Sequence, residues 1–137
     1  MLLVTKNQRR DAGFSAFVDR IVRHMNLHYR RDVMLIPPDV LRRRVAHCIV
    51  KGRERGFTFE RSLAVFTAHM MLINPRFHEQ SAITRLLADG SLPEQERLEG
   101  LVGEISPRAW DEAEAMCDAA EYWRIVDREM ADPGSEE

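Results

Sequence analysis

Histidines and cysteines are the side chains of this sequence best suited to metal binding or nucleophilic catalysis. His24 and His28 stand four residues apart, the spacing that places two imidazoles over one turn of a helix, where they could share a metal ion. They are not part of an H-E-x-x-H pattern, and no third ligand is marked nearby. We therefore interpret them as surface or partly buried histidines, and predict no metal site and no cofactor.

His47, Cys48 and His69 are candidates for a nucleophile and its base, because a thiol becomes reactive when an imidazole removes its proton. Cys48 falls on the apolar stripe of a predicted helix, where a thiol is usually inert. Cys48 and Cys117 form no C-x-x-C pair, so we expect two reduced thiols. There is also no phosphate-binding glycine loop and no G-x-S-x-G motif. The sequence predicts a protein that is not an enzyme.

Basic residues crowd the predicted second helix, which makes it a candidate binding surface. The six are Arg42, Arg43, Arg44, Lys51, Arg53 and Arg55. Arginine suits bidentate contacts with carboxylates, and such a surface can also neutralise nucleic-acid phosphates. No aromatic residues interleave with these bases and no turn-and-recognition-helix pair is apparent. A protein partner is therefore the first hypothesis, and a nucleic-acid-binding regulator is the alternative from another class.

Glu114, Asp118 and Glu121 form an acidic candidate surface. In one continuous last helix they would share a face opposite the stripe that contains Trp110 and Met116. Water would keep the pKa values of such carboxylates ordinary, which disfavours paired catalytic acids. We expect a solvated face that can contact a partner.

The two candidate surfaces reflect an uneven distribution of charge along the chain. Residues 1–61 hold 14 Lys and Arg against 6 Asp and Glu, whereas residues 62–137 hold 6 against 16. The halves therefore carry net charges of +8 and −10 inside a total of −2. They could pair within one fold, or lie on separate faces and attract partners or a second copy, as in a homodimer. The sequence leaves these alternatives open.

Length and composition are typical of one globular domain. The 137 residues are 45% hydrophobic and 31% charged, enough for a core without disulfides. We predict a helical domain over residues 1–131 and a flexible tail over 132–137. The first residues are apolar and then basic, the reverse of a signal peptide. No apolar run approaches the roughly 20 residues that span a membrane. The expected location is the cytoplasm.

Apolar residues at spacings of three and four predict an all-α bundle of about five to six helices. The first helix begins at the capping box Thr5-Lys6-Asn7-Gln8 and runs to about Tyr29. The second runs from about Pro38 to Arg55, buries Leu41, Val45, Cys48 and Ile49, and stops at Gly56.

The third predicted helix is capped by Thr58 and ends at Asn74-Pro75, and its scarcity of charge places it at the centre of the bundle. A fourth spans about Glu79 to Asp89. A fifth follows Ser91-Leu92-Pro93 and buries Leu98, Leu101, Val102 and Ile105. The last begins after a Ser106 cap and continues to Ala131.

Two segments that flank the third helix resemble a known group of proteins. They are Gly56-Phe57-Thr58-Phe59-Glu60-Arg61 and Asn74-Pro75-Arg76-Phe77, and they follow the aromatic and basic stretch His28-Tyr29-Arg30-Arg31. Over about Thr5 to Leu101 the chain resembles the small helical proteins encoded beside spike, PAAR or effector genes of bacterial type VI secretion systems.

The resemblance implies an accessory protein that binds a secreted effector, toxin or spike component as an adaptor or chaperone. An immunity protein that neutralises a toxin is the alternative within the same class. No catalytic residue is implied by this group.

Overall fold

The computed structural model describes residues 6–129, with side chains described from residue 13. This part of the chain consists of α-helices and one 3-10 turn, and contains no strand, which confirms the all-α class. Over these described residues the chain forms eight helices rather than the five to six expected. They are α1 Lys6–His28, α2 Arg30–Val33, α3 Pro38–Glu54, α4 Glu60–Leu72, α5 Ser81–Leu87, α6 Glu94–Gly103, α7 Pro107–Glu114 and α8 Ala119–Glu129, with the 3-10 turn Phe77–Glu79 before α5.

Helix α4 lies at the centre, as its low charge predicts. It packs against α1, α3, α6 and the 3-10 turn, and Leu63, Phe66 and Met70 on it are fully buried. A helix that is surrounded on several sides has no solvent-exposed face for charged residues, and burying an unpaired charge costs free energy. The central helix therefore fixes where the remaining helices can present their polar faces.

Helices α1 and α3 bury the stripes that the sequence predicts. Val18, Ile21 and Met25 of α1 are buried. So are the four residues predicted to face inward from α3, which are Leu41, Val45, Cys48 and Ile49. Pro38 opens α3, where its missing N–H costs nothing. Gly56 follows the helix with a φ of 92°, the left-handed conformation expected of a glycine stop.

The first helix ends one residue early and is followed by an unexpected short helix, α2. Tyr29 separates α1 from α2. The single turn of α2 buries Val33 and leaves Met34 and Leu35 exposed before α3 begins. Periodicity alone could not separate these two helices, because Tyr29 continues the apolar stripe of α1.

The expected continuous last helix is wrong, because the chain breaks between α7 and α8. Asn74 lies buried at this break, and its Nδ2 donates to the carbonyls of Glu114 at 3.1 Å and Cys117 at 2.9 Å. Asp118 then accepts a hydrogen bond from the N–H of Glu121 at 3.2 Å and so caps α8. Because the helix is broken, Glu114, Asp118 and Glu121 do not share one continuous helical face.

The fourth and fifth helices are shorter than expected, and one predicted core residue is misplaced. Helix α5 starts after Gln80, whose side chain accepts from the N–H of Ile83 at 3.0 Å. Leu98 and Leu101 of α6 are buried as predicted, but Val102 is 85% exposed. Ser106 caps α7 as predicted, accepting from the N–H of Ala109 at 3.1 Å.

Two expectations fall partly or wholly outside the described residues. The capping box begins at Thr5, and the tail covers 132–137. Among the helices that the structure describes, none combines the length and the apolar character needed to cross a membrane.

Candidate functional site

A carboxylate that the sequence analysis did not single out joins α4 to α6. Glu94, the first residue of α6, accepts hydrogen bonds from the backbone N–H groups of Thr58 and Phe59, each at 2.9 Å. Helix α4 has no side-chain cap from its own N-cap residue, Phe59. The expected Thr58 cap is therefore wrong, since Thr58 instead donates its backbone N–H and its hydroxyl to Glu94. A residue 36 positions away supplies the missing acceptor.

Glu94 is stably ionised in this position. Only 9% of the residue is exposed, and burial acts to raise the pKa of its carboxyl. Hydrogen bonds from Ser62, Phe59 and Thr58 outweigh that effect, so the pKa of Glu94 lies below its ordinary value. The negative charge also faces the positive end of the α4 dipole. These contacts hold the N-terminal ends of α4 and α6 together.

A groove with a cavity volume of about 280 Å³ runs between the two helices that Glu94 joins. Val65 and Leu98 line it, and Phe59 and Val102 stand at its edges with 65% and 85% of their surfaces exposed. Large apolar side chains that border one groove form a continuous apolar surface, unlike scattered exposed residues. The lining of this groove is more apolar than that of two other surface cavities formed by the described residues.

Opposite charges flank the groove. Arg61 lies on the α4 side, and among residues 13–129 it has neither a salt bridge nor a side-chain hydrogen bond to another residue. Glu99 lies on the α6 side, where Gln95 donates to it at 3.0 Å. The groove therefore offers an apolar floor, one cation and one carboxylate to a bound molecule.

The consecutive arginines of α3 are largely engaged within the fold. Arg42 donates to the Ser15 hydroxyl and lies 3.5 Å from Asp19. Arg43 pairs with Asp39 at 3.4 Å. These contacts fix α3 against α1 and its own first turn, and they reduce the charge that a partner would meet.

Arg44 makes the strongest of these contacts. Its Nε and Nη2 donate to the two carboxylate oxygens of Asp127 at 3.0 and 2.8 Å, and its guanidinium lies 5.5 Å from the centre of the Trp123 ring. The pair joins the basic and acidic halves of the chain inside the fold. At this position the two halves pair with each other.

The remaining bases of α3 differ in their surroundings. Arg53 covers the rings of Phe14 and Phe17, each at 5.4 Å from its guanidinium carbon. Lys51 lies 3.4 Å from Glu54 on the same helix. Arg55, just after the helix, donates to a ring nitrogen of His78 rather than to a carboxylate.

The two histidines near the end of α1 lie side by side. The ring centres of His24 and His28 lie 4.6 Å apart. Burial is the main cause that lowers the pKa of His24, and the charge of the neighbouring His28 is the second cause. Among the described residues, no group of three or more His, Cys, Asp or Glu side chains is placed to hold one ion. The pair thus supplies two ligands and no third.

Neither His47 nor His69 forms a hydrogen bond with Cys48; each contacts a different group. Cys48 is fully buried, and burial raises the pKa of its thiol. His47 Nε2 lies 2.6 Å from the hydroxyl of Tyr122. His69 Nδ1 lies 2.8 Å from the carbonyl of Val65, which can only accept, so Nδ1 carries the proton. A buried neutral thiol does not act as a nucleophile.

Sequence reasoning missed the groove because its defining contact is remote. Glu94 follows Pro93 at the start of a helix, where an acidic residue usually stabilises the N-terminus of its own helix. No neighbouring residue in the sequence indicates a contact with Thr58. Phe59 and Val102 look like core residues by type alone.

Comparison with protein-family models, with curated proteins and with solved structures finds no match to this chain.

Proposed function

We propose that this protein is a non-enzymatic accessory protein that binds another protein in the groove between α4 and α6. The observation that carries the proposal is the apolar surface formed by Val65, Leu98, Phe59 and Val102. Leaving Phe59 and Val102 exposed forgoes hydrophobic stabilisation, and apolar surface arranged as a groove is typical of protein interfaces.

The occupant that fits this groove is an amphipathic helix of the partner. The lining of the groove on α6 runs from Gln95 to Val102, a distance of about 10 Å along the helix, so the groove accepts about two turns of a bound helix. Such a helix buries apolar residues spaced three and four apart, which is the usual helix-in-groove arrangement. An acidic residue at one edge of its apolar stripe would face Arg61, and a basic residue at the other edge would face Glu99.

The proposed setting is a bacterial secretion or toxin-effector module. The resemblance of the Gly56–Arg61 and Asn74–Phe77 segments supports this setting, with the protein acting in the cytoplasm as an adaptor or chaperone for an effector, toxin or spike component. An immunity protein would use the same groove to block a toxin. Survival of cells that produce the toxin together with this protein, and death without it, would distinguish immunity from an adaptor role.

The contacts of α3 favour a protein partner over nucleic acid. Arg42, Arg43 and Arg44 each lie close to a carboxylate of the fold. Phosphate binding would have to compete with these pairs, and affinity for nucleic acid depends on the number of phosphates that free cations neutralise. We therefore assign this helix face to holding the fold together.

Site-specific photo-crosslinking tests the proposal. A photoreactive residue at position 102 should crosslink the product of a neighbouring gene, whereas one at position 108, an exposed site on α7, should not. The crosslinked segment of the partner should be an amphipathic helix with the two flanking charges described above. Equal crosslinking at both positions, or crosslinking of a second copy of this chain at position 102, would contradict the proposal.

A further inference from the structure

A second cavity, of about 470 Å³, lies on another part of the molecule and has a different chemistry. It is bounded by the end of α3, by the 3-10 turn that precedes α5, and by Tyr122 of α8. Its charged lining residues are Lys51, Glu54, Arg55, Arg76 and Glu79. We call it the polar cleft. It contains three cations and two carboxylates, an excess of one positive charge.

The cation responsible for this excess is Arg55. Lys51 lies 3.4 Å from Glu54, and Arg76 lies 3.5 Å from Glu79, so each of these cations has a carboxylate three residues along the chain. Among the described residues, Arg55 has no carboxylate within 4.0 Å. It is the cleft cation whose charge the fold leaves uncompensated.

A neutral imidazole holds this guanidinium in place. The Nε of Arg55 donates to Nδ1 of His78 at 3.0 Å, which requires that nitrogen to be unprotonated. Burial, followed by the positive charges of Arg55 and Lys51, lowers the pKa of His78 to about 4. A neutral acceptor orients Arg55 without neutralising it. The terminal Nη groups of Arg55 make no hydrogen bond with a described residue.

The other side of the cleft carries the hydroxyl of Tyr122. The pKa of Tyr122 is raised to about 12, mainly because the hydroxyl is buried, so it stays protonated at neutral pH. It lies 2.6 Å from His47 Nε2 and retains hydrogen-bonding capacity for a second group.

From this arrangement we propose that the polar cleft binds the carboxylate group of a small ligand or of a peptide end, with Arg55 as the binding residue. The planar fork of a guanidinium matches two carboxylate oxygens, and such paired, charge-assisted hydrogen bonds are the strong ones. One carboxylate balances the single excess charge of the cleft. A phosphate dianion would overcompensate that charge beside Glu54 and Glu79.

Calorimetric titration with two ligands that differ in one charge tests whether the polar cleft recognises a carboxylate. N-acetylalanine should bind and its amide, N-acetylalaninamide, should not. Tighter binding of N-acetylalanine than of propionate indicates a peptide end, and equal binding indicates a small free acid. Equal binding of the acid and its amide, or tighter binding of inorganic phosphate than of N-acetylalanine, would overturn the proposal.

Variants test the role of Arg55. Arg55→Gln should weaken N-acetylalanine binding about tenfold or more, and Arg55→Lys, which keeps the charge but not the fork, should also weaken it. Arg108→Gln, at an exposed arginine on α7, is the matched control and should leave affinity unchanged. Unchanged affinity in folded Arg55→Gln protein would refute the assignment. If circular dichroism shows that the Arg55 variants are unfolded, the comparison of acid and amide on the unmodified protein decides the question.

Discussion

Arg44 and Asp127 form a two-point ion pair that joins α3 to α8 across 83 positions of the chain. About 20% of the Arg44 side chain and 24% of the Asp127 side chain are exposed, so water weakens the pair only in part. Trp123 lies beside the guanidinium and is itself buried. The opposite charges of the two halves of the sequence thus serve, at this position, to fix the last helix.

Removing this pair should destabilise the protein measurably. Asp127→Ala leaves a half-buried guanidinium without its acceptors, and we expect a loss of about 1–3 kcal/mol in the free energy of unfolding by urea. A double-mutant cycle with Arg44→Ala should give a coupling energy of about 1 kcal/mol or more. The same cycle on the exposed pair Arg124 and Glu121 should give about 0–0.5 kcal/mol. Equal coupling energies for the two pairs would contradict this account.

Glu94 should stabilise the protein only while it is ionised. Its folded-state pKa lies below the ordinary value of 4.5, so the unfolded state takes up the proton first as the pH falls. Glu94→Gln should therefore lower the free energy of unfolding at pH 7, and the deficit relative to the unmodified protein should shrink as the pH falls below 4.5. Glu96→Gln, an exposed change in the same turn, is the control. A deficit that stays constant down to pH 3 would contradict stabilisation by the ionised carboxylate of Glu94.

The close approach of α3 and α4 depends on Gly52. A Cβ at this position would lie 2.6 Å from Cδ2 of Leu63 and 3.2 Å from Cδ1 of Phe66, two fully buried side chains. Gly52→Ala should therefore cost about 1–3 kcal/mol through overpacking. Gly13→Ala, in α1 with nothing within 4 Å of the added Cβ, should instead stabilise by up to about 1 kcal/mol. The two midpoints of urea unfolding should shift in opposite directions.

Buried histidines should make the protein less stable in mild acid. Burial is the main reason why the pKa values of His47, His69 and His78 lie below the ordinary 6.5. The unfolded state then binds more protons, so the free energy of unfolding should fall as the pH drops from 6.5 towards 4. His78→Gln should flatten this dependence, because His78 stays neutral to about pH 4. Asn26→Gln, an exchange of two side chains that do not titrate at an exposed site on α1, should leave the slope unchanged.

Local patterns in the sequence were sufficient to predict the buried stripe and the ends of α3. Leu41, Val45 and Ile49 repeat at helical spacing, and burying that stripe is the only way to remove it from water. Pro38 and Gly56 mark the ends of α3 because their backbones favour helix starts and left-handed stops. Such features depend on neighbours a few positions away, which a sequence displays directly.

The contacts that shape the groove and the end of the fold are remote, and the sequence does not display them. Asn74 divides α7 from α8 by binding carbonyls 40 and 43 residues away. Asp118 and Glu121 carry a spacing typical of a helix start, but the apolar stripe running through the break favoured one helix. Val102 has the type and spacing of a core residue, and its exposure depends on where the neighbouring helices end.

The affinity of the proposed partner for groove variants tests the central claim most directly. Val102→Asp places a charge on the apolar groove, whereas Leu27→Asp places the same charge on an exposed apolar residue of α1, outside it. With the partner identified by crosslinking at position 102, Val102→Asp should raise the Kd about tenfold or more at an unchanged Tm, and Leu27→Asp should leave the Kd unchanged. An unchanged Kd for Val102→Asp, or an equal loss for both variants, would contradict the account.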